Sequence, residues 1–221
     1  MPRPKDNMFF GLELTDEQEV YVDSVFDNLF TICNAKAGTG KTTLAIASAR
    51  LLIADKRNDL DGLLYTFNPV EEGTLGYTDG GVEKKESKYI SPLLDALSAI
   101  NEDSRFALKR ETNNDMINEN TWVEANSHVF LRGTNIVNKV VVIDESQNFT
   151  KGDLKKLLTR IHDSCRVIMI GHDGQIDLKN PSKSGFTPYI EHFEGEDYVK
   201  VCTLTHNFRG KLAQKADDLV W

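Results

Sequence analysis

The chain has 221 residues, 40% of them hydrophobic, and a net charge of −8 at neutral pH. That length suits one well-buried core with at most a small subdomain, and the acidic balance disfavours wholesale nucleic-acid binding while leaving room for a local basic face. No apolar run is long enough to span a bilayer. The opening MPRPKDNMFF lacks the sustained apolar stretch of a signal peptide. Three scattered cysteines (Cys33, Cys165 and Cys202) give neither a disulfide framework nor a zinc site, so the expected setting is a reducing, cytoplasmic one without disulfide-linked or membrane partners.

After a polar lead over residues 1–13, LTDEQEVYVDSVFDNLF reads as a helix. Thr15 can cap it, Gln18 stands at capping-box spacing, and Val22, Val25, Phe26 and Leu29 share one stripe. LFTICN reads as a short buried strand, followed by a glycine-rich turn and a helix over TTLAIASARLLIA. GLLYTF predicts a second strand. The polar stretches 71–88 and 101–120 read as surface excursions, flanking a helix in SPLLDALSAI with Pro92 in its first turn. Then come a strand (VVVID), a helix (KGDLKKLLTRIH), a strand (RVIMI), a short helix (YIEHF), a strand (VKVCTL) and a closing helix (KLAQKADDLVW). Wholly apolar strands separated by helices predict one doubly wound α/β domain with a mainly parallel sheet covered on both faces.

The turn NAKAGTGK follows a strand and opens a helix, which is the context of a P-loop and so of a P-loop NTPase. Gly38 and Gly40 let the backbone curl so that the amides of Ala37, Gly38, Thr39, Gly40, Lys41, Thr42 and Thr43 surround phosphate. Lys41 would reach the β- and γ-phosphates of ATP, and Thr42 would offer its hydroxyl to Mg²⁺. Ala35 stands where the usual pattern opens with glycine. The bland reading is a glycine-rich strand-to-helix turn. In KVVVIDESQNFT, Asp144 leaves the carboxyl end of a strand and can hold Mg²⁺, directly or through water. Glu145 follows and can polarise an attacking water. The alternative is an aspartate that merely begins a turn.

KAGTGKTTLAIA, FLRGTNIVNKVVVIDESQNFT, LLTRI and GHDGQIDLKNPSKSGF occur in one order that resembles the PhoH-like family of predicted ATPases. The resemblance implies a single RecA-like lobe related to superfamily-1 helicases, association with RNA or single-stranded DNA, and ring-shaped homo-oligomers. It makes Gln18 an adenine-reading glutamine, its competing role being the capping box. It makes Gln175 a γ-phosphate sensor, and Arg209 and Arg132 candidates to neutralise the transferring phosphoryl group; either arginine could instead sit in a surface salt bridge. His172 replaces the family's usual acidic residue, Phe67 and Asn68 replace an Arg-Pro, and Thr134-Asn135 lacks a second arginine. Room for one lobe implies that a neighbouring subunit's arginine completes the site. For a polymer, the basic face of Lys151, Lys155, Lys156 and Arg160 competes with a solvated reading, and Phe186 and Tyr189 are aromatic candidates only by position. Trp122 and Trp221 read as packing residues. The expected activity is Mg-dependent ATP hydrolysis; a small-molecule or nucleotide kinase and a non-hydrolysing ATP-binding assembly module are the alternatives.

Overall fold

Six short strands, all but the third mainly apolar, lie side by side in the computed structural model, which describes residues 9–69, 89–110, 121–131 and 133–217. They are β1 (Phe30–Ala35), β2 (Gly62–Phe67), β3 (Val123–Ser127), β4 (Lys139–Ile143), β5 (Arg166–Gly171) and β6 (Val199–Leu204). Every pairing is parallel, in the order β3-β2-β4-β5-β1-β6. The helices are α1 (Asp16–Asp27), α2 (Lys41–Ala54), α3 (Ser91–Ala99), α4 (Ser104–Ala107), α5 (Lys151–Leu158), α6 (Phe186–Phe193) and α7 (Lys211–Asp217).

Alternation along each strand sorts side chains into two cores. Cys33, Leu63, Tyr65, Val140, Val142, Ile168 and Ile170 pack with α1, α2 and α3 on one face. Ile32, Leu64, Val141, Ile143, Val167 and Met169 meet Leu154 and Leu157 of α5 and Phe186 of α6 on the other. This is the doubly wound architecture expected, and the sheet is parallel throughout. The three cysteines are free and buried. Among the described residues no helix is long and apolar enough to cross a membrane.

Several local expectations change. The first helix stops at Asp27, where Asn28 turns extended and its Nδ2 donates to the Ser24 carbonyl at 2.9 Å. Phe9, within the supposed polar lead, is buried. β3 was not expected because VEANS is polar; only its end residues Val123 and Ser127 are buried, as suits a strand at the sheet edge. Part of the 101–120 excursion is ordered structure instead: Asp103 caps α4, and Leu108 bridges to Val123. The helix expected over 151–162 ends at Leu158, because Ile161 pairs with Ile136 and draws the chain away. Residues 71–88 and Trp221 lie outside the described residues.

Because all strands run the same way, their carboxyl ends share one rim. The loops leaving β1, β4, β5 and β6 therefore converge there, where ligands of open α/β sheets bind.

Candidate nucleotide site at the sheet rim

The turn between β1 and α2 is held by its carbonyls. The Lys36 oxygen accepts from Thr39 Oγ1 at 3.0 Å, and the Ala37 oxygen from Asn207 Nδ2 at 3.2 Å. The Gly38 oxygen accepts from the Phe208 amide at 2.8 Å, that of Thr39 from Gln18 Nε2 at 3.0 Å, and that of Gly40 from the Leu44 amide at 2.9 Å. In a trans peptide the N–H points opposite to the C=O. With these five successive carbonyls engaged, the amides of Ala37 to Lys41 face away from those partners and are left to serve another acceptor. Gly38 and Gly40 make the curl possible at φ of +80° and +81°. A Cβ on Gly38 would stand 2.8 Å from both Arg209 Cγ and Asn207 Oδ1, so the loop after β6 is seated directly on this glycine. Lys41 and Thr39 are buried.

The acidic half sits against it. Asp144 follows β4 and is 1% exposed. Its Oδ2 accepts from Tyr65 Oη at 2.5 Å and from Thr42 Oγ1 at 3.3 Å, and its Oδ1 accepts from the Glu145 amide at 2.8 Å. Burial, then the neighbouring Glu145, pushes the Asp144 carboxyl well above its ordinary value; Tyr65 and Lys41 oppose the rise. Burial also raises the Tyr65 phenol, so it remains a neutral donor. Glu145 adopts a left-handed backbone at φ 50°, ψ 44°, a conformation that costs a non-glycine residue on the order of 1–2 kcal/mol. Gln147 Nε2 donates to Glu145 Oε2 at 2.5 Å, while the Gln147 Oε1 accepts from the His172 amide at 3.1 Å. Glu145 is thus aimed by a buried amide anchored on the end of β5.

A family model described as PhoH-like protein matches residues 12–220. The chain belongs to the PhoH-like family. A PhoH-like protein of Synechocystis is 33% identical over 191 residues, covering 86% of this chain and 55% of that protein. Protein PhoH2 of Bacillus subtilis is 31% identical over 189 residues, covering 84% and 41%. The chain therefore spans about half the length of the curated relatives it matches. Among solved structures, the large terminase from the thermophilic bacteriophage D6E aligns with a TM-score of 0.54 at 11% identity, over 88% of this chain and 46% of that one. At that identity the likeness concerns the fold, that of P-loop NTPases.

Within this PhoH-like chain, the structure brings Lys41, Thr42, Asp144 and Glu145 together, with Gln18 and Arg209 against the glycine turn. Gln18 fulfils the capping box, its Oε1 accepting from the Thr15 amide at 3.0 Å. It also braces the turn through Thr39, so its buried amide is committed inside the protein. Arg209 is exposed, with its stem over Gly38. Gln175 lies in the turn after β5, and neighbouring Asp173 exchanges hydrogen bonds with Asn34 of β1 at 3.0 and 3.3 Å, which ties that turn to the rim. Arg132 lies outside the described residues. Phe186 is fully buried in the second core and is not available to stack on a base; Tyr189 donates to the Lys151 carbonyl. Sequence reasoning missed Gln147, Tyr65, Asn207 and Phe208. For Gln147 the one available signal was its place three residues past Asp144 in the acidic turn. Tyr65 looked like any core aromatic. Asn207 and Phe208 immediately precede the singled-out arginine, and Phe208 presents an exposed ring beside the turn.

Proposed function

We propose that this chain binds ATP with a divalent cation at the sheet rim and hydrolyses it. One observation carries the reading: Thr42 Oγ1 lies 3.3 Å from Asp144 Oδ2, so the glycine turn and the acidic strand end meet at one point. The donors there are hard oxygens, a hydroxyl and a carboxylate. Among the described residues no three His, Cys, Asp or Glu side chains gather into a cage. This suits Mg²⁺, which takes few protein ligands and completes its shell with phosphate and water. The ion would supply neutralisation of charge on the β- and γ-phosphate oxygens.

The chain's own groups do the rest. Amides of the turn and Lys41 bind and orient the phosphates. Glu145, fixed by Gln147, accepts a proton from the attacking water. A carboxylate steered in this way favours water activation over transfer to a bound acceptor, so hydrolase stands ahead of kinase. Arg209 neutralises charge on the transferring phosphoryl group, and Phe208 offers a face for the adenine. We further propose, from the family resemblance, that the working form is a homo-oligomer. Lys41→Ala should abolish tight nucleotide binding. Glu145→Gln should preserve binding and slow phosphate release by ~10²–10⁴-fold; undiminished turnover in that variant would reject the assignment of the base.

A further inference from the structure

Two elements flank the glycine turn and are bonded to it: α1, through Gln18, and the loop after β6, through Asn207 and Phe208. A nucleoside whose phosphates rest on that turn lies nearest these two walls. Telling adenine from guanine takes a group that accepts from adenine's exocyclic amine, where guanine carries an oxygen; a glutamine does so while donating to N7. Gln18 has both ends of its amide in use. Its Oε1 accepts from the Thr15 amide at 3.0 Å, its Nε2 donates to the Thr39 carbonyl at 3.0 Å, and the residue is 4% exposed. At that burial the second lone pair and second hydrogen of the amide are closed off from a base on the surface. A Cβ on Gly40 would stand 3.3 Å from Gln18 Nε2, so the amide lies directly against the turn. Neighbouring polar groups are engaged as well. The Glu17 carboxylate accepts from the Thr205 and His206 amides at 2.9 and 2.7 Å. Asn207 Nδ2 donates to the Ala37 carbonyl at 3.2 Å, and its Oδ1 accepts from the Arg209 amide at 2.7 Å. What the walls offer outward is aromatic: Phe208 is 55% exposed, with the His206 ring T-shaped against it at 4.5 Å.

We infer that this site does not discriminate between nucleobases: its substrate class is the nucleoside triphosphates at large, and Gln18 is a positioning residue for the phosphate turn. The inference rests on the nucleotide site proposed above. Stacking on Phe208 is open to every base, because each has a π-face. A site built to hydrogen-bond one base rejects the others by orders of magnitude, since the wrong base leaves its enclosed polar groups unpaired. Here the enclosed amide of Gln18 is already satisfied within the fold, so guanine or a pyrimidine leaves it no worse off than adenine does. Gln18 acts on all nucleotides alike. Its hydrogen bond fixes the Thr39 carbonyl, and with it the plane of the peptide that carries the Gly40 amide. Removing that donor loosens the cradle whatever base is attached.

The test is displacement of mant-ADP by ATP, GTP, CTP and UTP with Mg²⁺ present, followed by fluorescence in wild type, Gln18→Ala and Thr15→Ala. Wild type should bind ATP and GTP within about fivefold of each other and the pyrimidine nucleotides within about tenfold, the smaller rings stacking less. Gln18→Ala should weaken all four by about two- to tenfold, the cost of one neutral hydrogen bond, with the ratios among them kept. Thr15→Ala removes the hydroxyl that caps α1 but leaves the Gln18 amide on Thr39. It should lower the melting temperature while nucleotide affinity stays within about twofold of wild type, which separates bracing of the turn from capping of the helix. A wild-type preference for ATP over GTP beyond about tenfold would overturn the inference. So would an ATP-to-GTP ratio that collapses in Gln18→Ala, or equal losses of affinity in the two variants. A chain that binds mant-ADP and ATP but none of the other three overturns this inference and leaves the ATP reading standing. A chain that binds none of the four, no better than Lys41→Ala, overturns both.

Discussion

Replacing Asp144 by asparagine should stabilise the ligand-free protein while disabling it. The carboxyl is fully enclosed and has Glu145 beside it, and its ionisation is pushed from 3.8 to about 6. At 1.36 kcal/mol for each pH unit of displacement, the ionised form costs on the order of 3 kcal/mol in the folded state. The sign follows from proton uptake: between pH 3.8 and about 6 the folded chain holds a proton that the unfolded chain has lost, so stability falls as pH rises through that window. Above it the penalty is complete. At pH 7.5, Asp144→Asn should therefore raise the melting temperature by about 6–12 °C, at ~2–4 °C per kcal/mol for a chain of this size. The gain should shrink below pH 6 and vanish near pH 4. The amide can still accept the Tyr65 hydroxyl, so packing is kept. Adding ATP and Mg²⁺ should reverse the ranking, because only the wild-type carboxylate gains from a cation. Scanning calorimetry at pH 4, 6 and 7.5, with and without Mg-nucleotide, checks all of this. A variant no more stable than wild type at pH 7.5 without ligand would refute the claim that Asp144 is held as a charge awaiting compensation.

Gly38→Ala introduces both a left-handed alanine and a Cβ 2.8 Å from Arg209 and Asn207; a stability loss of about 1–2 kcal/mol should accompany a larger loss of nucleotide affinity by calorimetric titration. Gly171→Ala places a Cβ 2.7 Å from Gln147 Oε1. It should displace Gln147 from Glu145, lowering the turnover number with the nucleotide dissociation constant nearly unchanged. Burial raises the Cys33 and Cys202 thiols and all three cysteines are enclosed, so a coloured disulfide reagent should label them only at the rate of global unfolding.

The fold was legible because its strands are apolar on both faces and its helices are periodic. VVVID and RVIMI could be little else than central parallel strands. What escaped were elements whose burial is conferred by neighbours. VEANS has no apolar pattern of its own and becomes a strand because β2 offers an unpaired edge. The geometry of the candidate site was legible where a motif dictates backbone shape, as at Gly38 and Gly40, and where a strand end carries a carboxylate, as at Asp144. It was opaque where a residue acts through a partner far along the chain. Gln147 is meaningful only once β5 brings the His172 amide alongside. Tyr65 matters only because β2 and β4 pair with Thr66 opposite Ile143, which sets the phenol under the following aspartate.

The same reasoning changes how the glycine turn should be understood. Its glycines permit the curl, yet the donors that fix it come from opposite ends of the chain, Gln18 of α1 and the Asn207–Phe208 step after β6. Those two elements are themselves tied, since the Glu17 carboxylate accepts from the Thr205 and His206 amides at 2.9 and 2.7 Å. On the function proposed above, a nucleotide drawing the turn's amides inward would therefore pull on α1 and on the loop carrying Arg209 together. The converse holds by linkage: whatever displaces the loop after β6 uncaps the Ala37 and Gly38 carbonyls and weakens the phosphate cradle. Position of the Arg209 stem and geometry of the glycine turn are in this way coupled through the Asn207 and Phe208 donors.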